Sequence, residues 1–132
     1  IYDAGENGSL GTLSSTVDTR VLNKLSLDSE QLGIIQQGFH DVVNSGSSLA
    51  TGKAMASSII PISGKTGTAE TYATDGSGNL VTTVNLNAVA YATAKDGTKL
   101  AVGIMYPHAL DSKSTAHQNA VKAIMELYQN TH

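Results

Sequence analysis

The chain has 132 residues, a formal net charge of −3 and no cysteine. That length suits one small domain or a piece of a larger one, and the missing thiols exclude a disulfide framework, a zinc–thiolate site and a cysteine nucleophile. Lys and Arg are scattered rather than gathered into a stripe that neutralises phosphates, so no nucleic-acid partner is expected.

Charged residues make up only 14% of the chain, where about a quarter is usual. Two readings fit: part of the surface lies against another part of a larger protein, or the surface is rich in Ser, Thr, Asn and Gln. No run of apolar residues approaches the roughly 18 needed for a membrane helix, and no signal peptide is seen. Any anchor of a parent protein is expected outside this chain.

In chain order, residues 1–24 read as an irregular arm, punctuated by Gly5, Gly8, Gly11 and a Ser/Thr run. Such a loose beginning resembles a cut made inside a larger fold. A helix is predicted over 29–45. Asp28 is its N-cap, Gln31 completes a capping box, and Leu27 and Leu32 stand at hydrophobic-staple positions. Leu32, Ile35, Phe39, Val42 and Val43 fall on one face, and Gly46 suits a left-handed C-terminal residue. A Gly/Ser-rich connection follows over 45–58.

Residues 59–71 read as a strand interrupted early by Pro61, and Asp75-Gly76-Ser77-Gly78-Asn79 as a turn. Residues 81–94 are β-rich. Asp96-Gly97 marks a tight hairpin, 100–106 the returning strand, and Pro107 its stop. A last helix is predicted over 115–128, with Thr115 and Gln118 as a second capping box and Lys122 and Glu126 as an i,i+4 pair. The order over 25–132 is helix, strand, strand, strand, helix. Hairpin connections make the strands antiparallel, and the fold class is α+β, an antiparallel sheet covered by amphipathic helices.

The segment richest in chemistry is Ile62-Ser63-Gly64-Lys65-Thr66-Gly67-Thr68-Ala69-Glu70. A phosphate-binding loop needs a second Gly five residues before the Gly of its Gly-Lys pair; that position is Ile59. A hairpin strand with an incidental Gly is the plain alternative, since Lys-Thr-Gly alone is short. The third reading is a similarity to the Lys-Thr-Gly box of serine acyl-transferases that act on D-Ala-D-Ala peptides. There the box holds the carboxylate of the substrate. Lys65 would supply the charge, and Thr66 and Thr68 hydroxyl donors. Gly67 would allow a close approach to the backbone, and the N–H of Thr68 would face the developing oxyanion.

The longer stretch Gly64-Lys65-Thr66-Gly67-Thr68-Ala69-Glu70 resembles the form found in class B penicillin-binding proteins. Ile35-Gln36-Gln37-Gly38-Phe39 with Val42-Val43-Asn44 resembles the helix ahead of that box. Asn87-Ala88-Val89-Ala90-Tyr91-Ala92 and Leu100-Ala101-Val102-Gly103-Ile104 resemble the next two strands. The likeness runs from about Leu25 to Tyr128. It implies that residues 1–132 are a C-terminal fragment of a transpeptidase domain of the penicillin-binding protein/β-lactamase-like fold. It further implies a parent D,D-transpeptidase that cross-links peptidoglycan and faces outward from the bacterial cytoplasmic membrane. Its ligands would be D-Ala-D-Ala stem peptides and β-lactams, and its other partner the remainder of the domain.

The nucleophile of that family is the Ser of a Ser-x-x-Lys motif, activated by the Lys. None of the lysines here has Ser three residues before it, so no catalytic residue of that kind is expected in the chain, and the fragment alone is expected to be inactive. Ser-x-Asn occurs once, as Ser77-Gly78-Asn79, but behind the box rather than ahead of it, and reads as a turn. His40, His108, His117 and His132 show no metal-ligand spacing, and no cofactor is expected. Glu70 lines the cleft or is a solvated strand residue. A D,D-carboxypeptidase, a β-lactam sensor and a non-catalytic module of the same fold remain open at this point.

Overall fold

The computed structural model describes residues 2–18 and 20–132; Ile1 and Thr19, both in the expected arm, lie outside the described residues. The arm is not wholly irregular. Strand β1 (Tyr2–Ala4) pairs antiparallel with β2 (Leu10–Leu13) across a single 3-10 turn, Glu6–Gly8. Gly5 is required there, because a Cβ on it would stand 2.4 Å from the carbonyl oxygen of Ser9.

Helix α1 spans Ser29–Asn44. Its capping box forms as the sequence predicts: Asp28 Oδ1 accepts from the Gln31 N–H at 2.8 Å, and Gln31 Oε1 accepts from the Asp28 N–H at 3.2 Å. Gly46 does not end the helix in a left-handed conformation. The C-cap is Ser45, which is extended, and the positive-φ glycines are Gly78 and Gly97 in the hairpin turns. Only the second half of α1 is covered: Val43 is buried and Phe39 and Val42 half-buried, while Leu27, Leu32 and Ile35 stay exposed.

The main sheet is β3 (Ser63–Thr74), β4 (Leu80–Thr93) and β5 (Lys99–Ala109), antiparallel in that order. Strand β3 starts after Pro61 rather than before it, since Pro lacks the N–H a ladder needs. In the first hairpin, Asp75 Oδ1 accepts from the N–H groups of Ser77 and Asn79 at 2.9 and 2.8 Å. Those bonds, Asn79 foremost, hold the Asp75 carboxyl below the ordinary carboxylate range. Ser77-Gly78-Asn79 is thus a turn. In the second hairpin Asp96 accepts in the same way from Thr98.

Strand β5 does not stop at Pro107. It runs on to Ala109 through a bulge that sets Pro107 and His108 opposite Asn85. His108 takes φ 52° there, and its N–H is satisfied by Asn85 Oδ1 at 3.1 Å. A proline is tolerated because a bulge asks for no ladder donor at that place.

Helix α2 spans Ala116–Thr131, three residues beyond the expected end. Its last turn is held to the second hairpin: the N–H of Lys95 donates to Gln129 Oε1 at 3.0 Å, and the Tyr128 hydroxyl donates to Asp96 Oδ2 at 3.3 Å. The second capping box does not form, and Thr115 makes no side-chain cap. Gln118 is buried and donates instead to the carbonyl of Thr51 at 3.1 Å. Lys122 and Glu126 do pair, at 3.9 Å.

The core follows from the period-2 pattern of β4. Ala88, Ala90, Ala92 and, just past the strand, Ala94 present a stripe of small buried side chains on one face. Small side chains let a helix approach closely, and Val121 and Met125 of α2 seat there, with Met55, Ile60, Ile62 and Val43 completing the cluster. Leu100, Val102 and Ile104 of β5 flank it. On the opposite face Val89, Tyr91 and Met105 are exposed; Phe39 meets Tyr91 edge-on, with ring centroids 6.2 Å apart.

Candidate functional site

The Lys-Thr-Gly segment lies in β3, an outer strand of the three-stranded sheet whose sheet neighbour among the described residues is β4. Its register is continuous: Lys65 pairs with Val89, Thr66 with Ala88, Gly67 with Asn87 and Thr68 with Leu86. No loop closes around a phosphate at Gly64. Directly opposed residues share a face, so Lys65 stands on the side of exposed Val89, and Thr66 on the side of buried Ala88.

The two glycines of the box differ in what they serve. Gly64 is buried, and a Cβ on it would fall 2.6 Å from the carbonyl oxygen of Val89 and 3.0 Å from Ala90 Cβ. Its absent side chain lets β3 and β4 close together. Gly67 is exposed, and a Cβ there would make only ordinary contact, 3.7 Å from Asn87 Cβ. The packing of this chain does not require that glycine, so the bare backbone at Gly67 faces outward.

Lys65 is exposed, and its Nζ donates to the carbonyl of the next residue, Thr66, at 2.6 Å. An ammonium has three donors, so two remain for an anion. Thr66 is half-buried, and its Oγ1 shares a hydrogen bond of 2.7 Å with Thr51 Oγ1. Thr68 and Glu70 are exposed. The edge therefore offers, along the strand, the cation of Lys65, the Thr66 hydroxyl paired with Thr51, the uncovered Gly67 and the exposed Thr68. That set suits a carboxylate-bearing extended peptide.

Sequence reasoning located the box but missed Thr51 and Gln118. Thr51 lies in the Gly/Ser-rich connection, and Gln118 was expected as a cap. Both act across 15 and 67 residues, and no local pattern announces such contacts.

The histidines are dispersed. His40 is exposed beside Asp41 at 3.4 Å, His108 occupies the bulge, and His132 stacks on Tyr128. His117 is buried near the start of α2, with Nδ1 lacking a hydrogen-bond partner among the described residues. Burial pushes its pKa down from 6.5. Among the described residues no three His, Asp or Glu converge on a metal position, and no helix is long and apolar enough to cross a membrane.

Residues 1–126 match the family described as penicillin binding protein transpeptidase domain. Penicillin-binding protein 2B of Streptococcus pneumoniae is 35% identical over the whole of this chain, which covers 19% of that relative. Penicillin-binding protein 2A of Bacillus subtilis is 31% identical over 81% of the chain and 15% of its own length. The solved structure of penicillin-binding protein 2B from S. pneumoniae strain R6 superposes with a TM-score of 0.69, covering 99% of this chain and 20% of the other. The chain thus spans about a fifth of the length of its pneumococcal relative. With the family matched over residues 1–126 and the pneumococcal structure superposing on 99% of the chain at 35% identity, the chain belongs to the penicillin-binding protein transpeptidase domain family.

Proposed function

We propose that this chain is the C-terminal part of a serine-type D,D-transpeptidase that cross-links peptidoglycan and is acylated by β-lactams. The observation that carries this reading is the family's Lys-Thr-Gly-Thr box on an outer strand, with Lys65 exposed and Gly67 uncovered. Residues 25–132 supply one wall of the cleft, and residues 1–24 an arm toward the remainder of the domain. The exposed apolar positions Leu32, Ile35, Val89, Tyr91 and Met105 support a partner surface of that kind. The parent works on the outer side of the bacterial cytoplasmic membrane, where its substrate lies.

In the proposed reaction a Ser hydroxyl from elsewhere in the parent attacks the penultimate D-Ala carbonyl of a stem peptide. The Ser oxygen–carbon bond forms, the amide C–N bond breaks, and the terminal D-Ala leaves as the amine with the Ser proton. An amine of a second stem peptide then displaces the Ser and returns a proton to it. Lys65, with Thr66 and Thr68, holds the terminal carboxylate beside the nucleophile. The N–H of Thr68 stabilises the oxyanion, which is most valuable where charge develops.

A labelled penicillin and intact-mass detection test this reading. The full-length protein is expected to take one penicilloyl group, and the isolated chain none, because it has no Ser-x-x-Lys. A stoichiometric adduct on the isolated chain overturns the assignment of the nucleophile elsewhere. A full-length protein that stays unmodified overturns the enzyme.

A further inference from the structure

Thr51 sits where three parts of the fold meet. Its hydroxyl lies 2.7 Å from that of Thr66 in the box. Its carbonyl accepts from the buried Gln118 of α2 at 3.1 Å. The next residue, Gly52, is buried and donates its N–H to the carbonyl of Val42 in α1 at 2.9 Å. A Cβ at Gly52 would stand 2.9 Å from Met55 Cε and 3.0 Å from the Val42 oxygen, so a larger residue there would have to displace its neighbours. Thr51 is therefore fixed to both helices through its backbone, while its side chain is exposed at the box.

From this geometry we infer that Thr51 is a positioning residue for substrate, holding the Thr66 hydroxyl so that its hydrogen meets the ligand carboxylate. Two hydroxyls in contact hold one hydrogen between them and leave the other to turn outward. Here Thr66 Oγ1 donates to Thr51 Oγ1; when an anion reaches Lys65 the bond reverses, so that Thr51 donates into the Thr66 oxygen and Thr66 donates to the anion. Donation in sequence polarises both bonds. Without Thr51 the Thr66 hydroxyl loses this partner and rotates among its rotamers, and the carboxylate is bound by Lys65 less well oriented. The backbone tie through Gln118 makes α2 the rigid element behind this device.

This inference rests on the carboxylate-anchor reading above, and the test separates the two. In the full-length protein, labelled-penicillin acylation is measured to saturation for Thr51→Val, Thr51→Ala, Thr51→Ser, Thr66→Val, the Thr51→Val/Thr66→Val pair and Lys65→Ala, with the melting temperature of each. Removal of a neutral hydrogen bond corresponds to about fivefold, so Thr51→Val and Thr51→Ala are expected to lower the second-order rate about fivefold. That loss should lie in the half-saturation concentration and leave the melting temperature in place. Thr51→Ser, which keeps the hydroxyl, restores the rate. The double variant loses no more than Thr66→Val alone, as expected of residues acting as one unit. Parental rates in folded Thr51→Val and Thr51→Ala overturn the inference, as do additive losses in the pair or a Thr51→Ser as slow as Thr51→Val. If Lys65→Ala also acylates at the parental rate, the anchor reading itself falls. If Lys65→Ala is slow while the Thr51 variants are not, only the role of Thr51 falls.

Discussion

Asn44, the last residue of α1, donates its Nδ2 to the carbonyl of Ile62 at 2.8 Å. The same amide also donates to the His40 carbonyl at 3.1 Å. One side chain thus closes the end of α1 and fixes the residue that leads into β3, three positions ahead of Lys65. Asn44→Ala removes both bonds and leaves the Ile62 carbonyl without that partner. A loss of about 1 kcal/mol is expected, read as a lower denaturation midpoint. An unchanged midpoint would show that α1 and β3 are held by packing alone.

Lys65→Ala tests charge at the site. A hydrogen bond to a charged group contributes about 1.5–3 kcal/mol, so acylation should slow roughly ten- to a hundredfold. Lys65 is exposed, and stability should change by less than about 0.5 kcal/mol. Thr68→Ala is expected to cost less, because the backbone N–H proposed for the oxyanion survives. Acylation rates measured beside melting temperatures decide both; a folded Lys65→Ala at the parental rate rejects the anchor.

The two box glycines should separate fold from function. Gly64→Ala forces a methyl into the gap between β3 and β4 and is expected to cost about 1–3 kcal/mol, the usual range for overpacking. Gly67→Ala has room in the chain and should melt with the parent, yet acylate more slowly if a ligand lies against that backbone. A Gly67→Ala protein with full acylation would mean that the ligand keeps away from residue 67.

Much of this was legible in the sequence, and the misses share one physical cause. Asp28 and Gln31 announced a capping box because both partners lie within one turn. Thr115 and Gln118 have the same spacing and failed, because Gln118 finds the Thr51 carbonyl 67 residues away. Pro107 reads as a strand breaker, but Asn85 takes the N–H of the next residue and the strand continues. The box was found from its own residues; the support for Thr66 was not, since Thr51 belongs to a stretch with no periodicity. Local chemistry was readable, and contacts set by tertiary packing were not.

His117 gives a pH dependence. Burial lowers its pKa below the 6.5 of the unfolded chain. Between those two values the unfolded state binds more protons than the native one, so stability rises with pH across that window. Its contribution is fully present above about pH 6.5 and is lost as the pH falls through the lowered native value. Melting temperatures measured from pH 7.5 downward should therefore drop below about pH 6.5, and His117→Leu should lessen that drop. Equal slopes in the two proteins would assign the acid sensitivity to other groups.

The tie between α2 and the second hairpin bears on the order of folding. The turn at Asp96 and Thr98 is local and closes on the microsecond scale of hairpins. The bonds from Tyr128 and Gln129 span 32 and 34 residues and require the turn to exist already. Docking of α2 is then expected to come late, after the rate-limiting barrier. Weakening it with Tyr128→Phe should quicken unfolding and leave the refolding rate nearly unchanged. The same step seats Gln118 on the Thr51 carbonyl, so the edge at Thr66 is expected to reach its final shape only once the helix has locked. A ligand bound at that edge is then expected to slow the release of the helix behind it.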